Sequence, residues 1–374
     1  MHSDGRPGRL ARARARMAAF GIDALLVTHL PNVRYLTGMR ASAAAAVVGA
    51  EAVVLITDAR YTTTARTLAE TAGAAIGLAV MEVQGTYEQA IRDVVRAGGF
   101  ARLGVEADHI SLARWQWLRE SLGDRPELVS TTGLIEAGRM IKDGDELVSL
   151  RTAGRLLAGM VPAALREARA GRKERELPPD NESPLAAAGI EDRAFETIVA
   201  SGPRSALPHA RPGSRRLAPG DMVVLDFGGV YDGYCVDLTR TASVGPPGGE
   251  AVRLHAAVLA AQTAAIAAVR PGAQASAVDE AARGVLRERG LAEAFQHGTG
   301  HGLGLEVHEA PRIAPAARLQ GPGADVMLEA GMVITIEPGV YIPGAGGVRL
   351  EDDVLVTESG SELLTDAPRA LAVC

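Results

Sequence analysis

The chain has 374 residues, a length that favours two domains over one and leaves room for a sizeable core. Hydrophobic residues make up 47% of it but aromatic residues only 3%, so Ala, Val and Leu must fill the interior. The formal net charge of −6 excludes the basic surplus typical of nucleic-acid-binding proteins, and two cysteines are too few for a disulfide framework or a thiolate zinc site.

The first third of the chain alternates between helical and strand patterns. We predict a helix that runs through Phe20, strands at "DALLVT" and "EAVVLIT", and helices near 87–97 and 111–122. This alternation is typical of a small α/β domain.

Signals for export or membrane insertion are weak. The basic stretch "RLARARARM" is typical of an exposed helix face, and Asp23 interrupts the apolar run after it, which argues against a signal peptide. No segment reaches the roughly 18 consecutive apolar residues that a membrane span requires. We therefore predict a soluble, cytoplasmic protein that binds neither nucleic acid nor membranes.

Turn residues and charges near 138 to 144 predict a boundary between a domain at 1–138 and a domain at 139–374. A helical pattern then extends from Asp145 to about Ala170, and the three prolines of "ELPPDNESP" interrupt it. Beyond residue 190 strands dominate, with long helices only near 249–269 and 275–290. The second domain is predicted to be α+β with an antiparallel sheet, in which Cys235 is a buried structural thiol.

Two segments of this domain resemble each other. "LAPGDMVVLD" at 217–226 and "LEAGMVITIE" at 328–337 each place Leu, two residues and Gly before an apolar strand that ends in a carboxylate. A second acid follows each strand, Asp237 in one copy and Glu351 in the other. The pattern predicts a duplicated strand–turn–strand unit that delivers two acids per copy, with chance similarity of apolar strands as the alternative.

The Asp232-Gly233 pair between two apolar runs predicts a two-residue hairpin turn. Pairing outward from the turn sets Asp226 opposite Thr239 and Asp237 opposite Gly228. Asp226 and Asp237 then share one face as diagonal neighbours, at most about 7–8 Å apart.

Buried acids of this kind repel one another and need compensating positive charge. If the second copy packs against the first, Glu337 and Glu351 join the two aspartates, and two divalent cations would balance all four charges. Arg240 and Arg349 are the alternative compensators, but they balance only half of the charge. His301, within the glycine-rich "HGTGHGLG", would complete a ligand shell that favours Mn, Co, Fe or Zn in a hydrolytic site with two metals.

These segments resemble a known family. "LDFGGVYDGYCVDLTRT", "HGTGHGLGLEVHE", "TIEPGVY" and "VRLEDD" are similar to the signature segments of the pita-bread-fold metallopeptidases, over about 139–360. "PNVRYLTGM" extends the resemblance to the creatinase-type N-terminal domain. The resemblance implies a curved, largely antiparallel sheet with an internal pseudo-two-fold repeat, two divalent metal ions with Mn as the first choice, and a homodimer.

The resemblance also implies roles for individual residues. Asp226 would bind one metal, Asp237 and Glu351 would bridge both, and His301 and Glu337 would complete the ligand set. Glu337 would also act as the acid/base, while His209 and His308 would stabilise the substrate carbonyl and the tetrahedral intermediate. Arg349 would orient its acidic neighbours or hold a substrate carboxylate, unless it only offsets the acid cluster. His297 would support the centre from outside it, unless it is simply a packed histidine.

Within the family, cleavage of the Xaa-Pro bond at the amino end of peptides is the best interpretation. Methionine aminopeptidases of this fold generally lack a domain like 1–138, and creatinase lacks the acidic ligand set. Whether the enzyme is a prolidase or an aminopeptidase P stays open. The proline-containing segment 174–192 departs from the regular helix that the family leads one to expect, which leaves the substrate preference in doubt. Two other hypotheses remain: a metal-dependent hydrolase of a non-proline amide, and a binding protein with an idle site.

Overall fold

A computed structural model of the chain describes residues 4–177, 182–319 and 324–374. It divides into two compact units, Met1–Arg139 and Met140–Cys374.

The first unit is a mixed six-stranded sheet with helices. Its helices are α1 (Arg6–Ala19), α2 (Leu30–Thr37), α3 (Thr62–Glu70), α4 (Tyr87–Gly98), α5 (Leu112–Leu122) and α6 (Glu136–Arg139). Its strands are β1 (Ala24–Val27), β2 (Ala45–Val48), β3 (Val53–Thr57), β4 (Leu78–Glu82), β5 (Arg102–Glu106) and β6 (Glu127–Thr131). The strand order is β4-β3-β2-β1-β5-β6, and β1, β5 and β6 run parallel to one another. The predicted α/β character is therefore confirmed.

Helix α4 shows how local sequence sets these elements. The Thr86 hydroxyl accepts from the amide of Gln89, and the Gln89 side chain accepts from the amide of Thr86, which closes a capping box. At the other end Gly99 adopts a left-handed conformation that stops the helix.

The second unit is the larger one. Its helices are α7 (Gly144–Glu167), α8 (Glu182–Ala188), α9 (Gly249–Ala268) and α10 (Ala275–Glu288). Its strands are β7 (Asp192–Arg193), β8 (Ile198–Ser201), β9 (Met222–Tyr231), β10 (Tyr234–Ser243), β11 (Gly300–Gly302), β12 (Glu309–Ile313), β13 (Val333–Ile336), β14 (Gly339–Ile342), β15 (Gly346–Arg349), β16 (Asp352–Val356), β17 (Ser361–Leu363) and β18 (Ala372–Val373). The predicted positions of α7, α9 and α10 are confirmed.

Two sheets carry the repeated segments. One has the order β18-β10-β9-β7 with β8 also paired to β9, and the other has the order β12-β11-β13-β16-β17. Gly220 before β9 and Gly331 before β13 have positive φ values of 86° and 91°, so both copies enter their strand through the same turn. The two sheets meet where the amide of Glu351 donates to the carbonyl of Thr239 at 3.1 Å.

Helix α9 belongs to the core of this unit. By length and composition it is the one helix in the described ranges that could cross a membrane, but 44% of its apolar window is buried in the fold. Leu254, Val258 and Ala261 pack there with residues of α10 and of the second sheet. Its position is that of a core helix.

The proline-containing segment interrupts the helical structure, as predicted. A 3₁₀ turn at Glu174–Glu176 follows α7, and α8 begins at Glu182. Residues 178–181 of the segment lie outside the described residues.

Candidate metal centre

The hairpin formed by β9 and β10 supplies the first two acids. Asp232 and Gly233 take φ values of 45° and 66°, the left-handed pair that a tight hairpin turn of this kind requires. Thr239 pairs with Asp226 and Asp237 pairs with Gly228, which confirms the predicted register. Both aspartates are buried, at 7% and 5% exposure.

Three predicted ligands converge. Ligand atoms of Asp237, His301 and Glu351 all lie within 4.8 Å of one another, a spacing that suits a metal ion. Glu337 lies beside them, with its Oε1 atom 3.5 Å from Nε2 of His301. Asp226 is the remaining predicted ligand, and it lies against Arg349.

His301 presents one ring nitrogen to the acids. Its Nδ1 atom lies 3.0 Å from the carbonyl oxygen of Gly302, which can only accept, so Nδ1 carries the proton and Nε2 keeps a free lone pair. Burial lowers the pKa of His301 to about 4, so the ring is neutral near pH 7. A neutral imidazole with an unprotonated Nε2 is the form that binds metals.

Several buried oxygens at this place lack a hydrogen-bond partner. Among the described residues they include Oδ1 of Asp226, Oδ1 of Asp237, Oε1 of Glu351 and Oδ1 of Asp353. Burial and the neighbouring carboxylates raise the pKa values of Asp237 and Glu351 well above the usual range. Buried oxygens without donors are costly, and divalent cations are the partners that would satisfy them.

The two arginines considered as compensators do different things. Arg240 donates to Asp352, a buried acid that is not one of the predicted ligands, at 2.7 Å. Arg349 alone pairs with a predicted ligand, Asp226. One guanidinium for four acids leaves most of the charge uncompensated.

Arg349 is held inside the protein, at 3% exposure. It donates to Asp226, to the hydroxyl of Thr239 at 3.2 Å, to the hydroxyl of Tyr341 at 2.7 Å and to the carbonyl of Pro208 at 3.2 Å. This geometry fits the role of orienting acidic neighbours, because four of the five N–H donors of the guanidinium are already engaged.

His297 lies behind the acid cluster. Its Nε2 atom is 3.0 Å from the Tyr341 hydroxyl, and Arg283 donates to its carbonyl oxygen. Burial lowers the pKa of His297 to about 4 and raises the pKa of Tyr341 to about 12, so both groups are neutral near pH 7. His297 therefore supports Tyr341, which in turn contacts Arg349.

His209 and His308 are histidines that lie close to the centre. Both residues are exposed to solvent. One face of the His308 ring nevertheless packs on His301, with 4.3 Å between the ring centroids. Burial of that face, with Arg312 and His209 nearby, lowers the pKa of His308. An imidazole N–H group in this position can donate a hydrogen bond to a bound molecule.

Sequence reasoning did not find several residues that hold the ligands. Thr239 donates to Oε2 of Glu351 at 2.6 Å, and Asp353 accepts from the amide of Asp237 at 3.0 Å. Asp279 accepts from the amide and the hydroxyl of Thr299 at 3.0 and 2.8 Å, next to the His301 strand. For Thr239, the sequence offered one indication, its predicted pairing with Asp226 in the hairpin. For Asp279, the sequence offered no indication.

The glycines around His301 allow close approach of other strands. A Cβ atom on Gly300 would lie 1.9 Å from the carbonyl oxygen of Thr335, and one on Gly302 would lie 2.1 Å from that of Ala310. A side chain at Gly300 would push the His301 strand away from β13, and one at Gly302 would push it away from β12.

Replacing Gly300 by Ala should lower the melting temperature by several degrees, because overpacking costs about 1–3 kcal/mol or more. The displaced His301 should also weaken the binding of divalent metal ions, for which Mn²⁺ serves as the probe. Calorimetric melting and Mn²⁺ titration measure both effects. Gly284→Ala is the control, since a Cβ there meets nothing within 4 Å and the change in helix α10 should stabilise. A Gly300→Ala protein with wild-type melting and Mn²⁺ affinity would contradict this packing.

Family models match both units. A model of metallopeptidase family M24 matches residues 148–358, and a model of the creatinase/prolidase N-terminal domain matches residues 9–141.

Related proteins are similar in sequence to much of the chain. The peptidase YqhT of Bacillus subtilis is 35% identical over 365 residues, which are 98% of this chain and 99% of that protein. An Xaa-Pro dipeptidase of Pyrococcus furiosus is 43% identical over 233 residues, which are 62% of this chain and 65% of that protein.

Solved structures share the fold. An Xaa-Pro dipeptidase from Bacillus anthracis superposes with a TM-score of 0.91 at 34% identity, over 99% of this chain and 100% of that one. An X-Pro aminopeptidase from Thermotoga maritima gives a TM-score of 0.85 at 33% identity, over 96% of this chain and 100% of that one. These matches confirm the predicted fold class, an α/β N-terminal domain with a pita-bread C-terminal domain.

Proposed function

The chain belongs to metallopeptidase family M24, and from this premise we propose that it hydrolyses the Xaa-Pro bond at the amino end of short peptides. The observation that carries the proposal is the cluster of buried, unpartnered carboxylate oxygens of Asp226, Asp237 and Glu351 beside His301. A cluster of this kind would destabilise a protein that had no cations to place there. It therefore supports a metal-dependent active site.

Five residues form the proposed ligand set: Asp226, Asp237, His301, Glu337 and Glu351. Oxygen-rich ligation with one imidazole nitrogen and no thiolate suits Mn²⁺, with Co²⁺, Zn²⁺ or Fe²⁺ as further choices. Four carboxylates against one paired arginine favour two divalent ions over one. When bound, such ions polarise a scissile carbonyl and make an attacking water more acidic.

Glu337 is the proposed acid/base. Without cations, burial raises the pKa of Glu337 to about 8, although Arg349 opposes the shift. A carboxylate placed beside an attacking water can accept its proton and pass it on, which is what peptide hydrolysis needs. Glu337 would take the proton from the attacking water and deliver it to the leaving nitrogen.

His209 and His308 would contact the substrate. Both residues are exposed, and the His308 ring packs on the ring of His301. They would donate hydrogen bonds to the oxygen of the scissile carbonyl as negative charge develops on it. Arg349 would keep Asp226 in place; binding of a substrate carboxylate by Arg349 stays a prediction.

The test compares the dipeptide Ala-Pro with the tripeptide Ala-Pro-Ala, using chelated protein with and without restored Mn²⁺. We expect Mn²⁺-dependent cleavage of at least one of them. Cleavage of the dipeptide alone would indicate a prolidase, and cleavage of the tripeptide would indicate an aminopeptidase P. Both kinds of relative, an Xaa-Pro dipeptidase and an X-Pro aminopeptidase, match this chain closely.

Ala-Ala serves as the matched substrate without proline. Faster cleavage of Ala-Ala than of Ala-Pro would replace the proposal with a metal-dependent hydrolase of other amides. Binding of Mn²⁺ with no turnover of any of the three peptides would leave a binding protein with an idle site. We also propose a homodimer in the cytoplasm, which light scattering and cell fractionation would test.

A further inference from the structure

Thr239 is a fully buried residue of β10 that lies between Glu351 and Arg349. Its hydroxyl donates to Oε2 of Glu351 at 2.6 Å and accepts from Nε of Arg349 at 3.2 Å. A hydroxyl has one proton, so the donation to Glu351 fixes its direction, and the arginine meets its lone pair.

From this geometry we propose that Thr239 is a positioning residue that orients the Glu351 carboxylate for metal binding. Oε2 of Glu351 is held by the threonine, while Oε1 has no partner among the described residues. Glu351 is also the residue that, together with Asp237 and His301, forms a group able to hold a metal ion. The inference rests on the proposed metal centre, and it assigns a role to a residue outside the ligand set.

The same hydroxyl connects the two copies of the repeat. Arg349 pairs with Asp226 of β9, and Glu351 lies immediately before β16, so Thr239 links acids from both sheets. Loss of the hydroxyl would leave Oε2 of Glu351 without its donor and Nε of Arg349 without its acceptor. Glu351 could then rotate, and Arg349 could turn toward it.

The backbone here is held independently of the Thr239 side chain. Arg240 donates through Nη1 to the carbonyl oxygens of Thr239 and Glu351, at 2.9 and 2.6 Å. Its other donors reach Asp352 and the carbonyl oxygens at 367 and 368. Exchange of Thr239 for valine, which has the same shape, should therefore leave the strands in place.

The experiment titrates Mn²⁺ into chelated wild-type protein and into Thr239→Val, following heat release and the number of ions bound. Mutation of residues that support metal ligands typically weakens metal binding about 10–100-fold, and we expect a loss of that size. Thr239→Ser should restore the wild-type Kd, because it keeps the hydroxyl. Should Thr239→Val not fold, Thr239→Ala gives the same comparison.

Thr241→Val is the matched control. Thr241 lies on the same strand with 1% exposure, but within the part of the chain that the structure describes its hydroxyl bonds only the main chain of Arg349, at 2.9 and 3.2 Å. We expect Thr241→Val to lower the melting temperature about as much as Thr239→Val does, but to leave the Kd for Mn²⁺ unchanged. An unchanged Kd in Thr239→Val, or an equal loss in Thr241→Val, would overturn the positioning role.

The outcomes separate this inference from the proposed function. If wild-type protein binds Mn²⁺ but cleaves no proline peptide, the substrate proposal fails while the Kd values still decide the role of Thr239. If wild-type protein binds no Mn²⁺, the metal centre and the role of Thr239 are both refuted. A higher Kd for Mn²⁺ in Thr239→Val, together with a wild-type Kd in Thr239→Ser, supports the inference whatever the substrate.

Discussion

Replacing Glu337 by Ala should abolish peptide hydrolysis and weaken metal binding. The carboxylate lies 3.5 Å from Nε2 of His301 and is the proposed route for the proton in the reaction. Loss of a general acid/base typically lowers the rate about 10²–10⁴-fold, and loss of a ligand adds to it. Steady-state kinetics on Ala-Pro with saturating Mn²⁺ measure the change in kcat.

Glu337→Gln separates the two contributions, because glutamine keeps the shape and one ligand oxygen but cannot transfer the proton. We expect kcat to fall nearly as far as in Glu337→Ala, with a smaller loss of Mn²⁺ affinity. Glu329→Gln, at an exposed position before β13, should leave both quantities unchanged. Full activity in Glu337→Ala would refute the assigned site.

Metal-free protein should become less stable as the pH rises from about 6.5 to about 8. Burial raises the pKa of Glu337 to about 8 from an ordinary value of 4.5, and it also raises the pKa values of Asp237 and Glu351. In this window the folded chain binds more protons than the unfolded chain, so the free energy of unfolding falls as pH rises. The slope is on the order of 1 kcal/mol per pH unit for each carboxyl that remains protonated.

The buried histidines do not change the expected dependence of stability on pH in this range. Burial lowers the pKa values of His297 and His301 to about 4 in the folded chain and lowers that of His255 as well, so the stability they contribute is complete above about 6.5 and is lost only at lower pH. Melting temperatures of chelated protein across the window measure the effect. Saturating Mn²⁺ should flatten the dependence, and Glu337→Gln should reduce it in the chelated protein. A metal-free protein that gains stability with pH here would contradict the buried acid cluster.

Local sequence was sufficient for some parts of the site. The Asp232-Gly233 turn fixed the register of the hairpin, because a two-residue turn leaves only one pairing for the strands that follow. The boundaries of α9 and α10 were predicted closely because their turn residues and helical periodicity agree.

Other parts depend on contacts that a single sequence does not reveal. β2 begins within the Ala-rich run "ASAAAA", which has no alternation, so its strand character comes from pairing with β1 and β3. Arg240 was considered as a partner for the acid cluster, but it pairs with Asp352, which only the packing of β10 on β16 could reveal. Thr239 and Asp353 were missed for the same reason, since each meets its partner from the other sheet.

The bridge between Thr239 and Glu351 joins positions that are 112 residues apart. Closing a loop of this length costs chain entropy before any contact across it is gained, so we expect this pairing to form late in folding. The ligand set cannot assemble before that pairing, and a cation has no site to occupy in the early chain. Metal should therefore slow the unfolding of this protein while leaving its folding rate nearly unchanged.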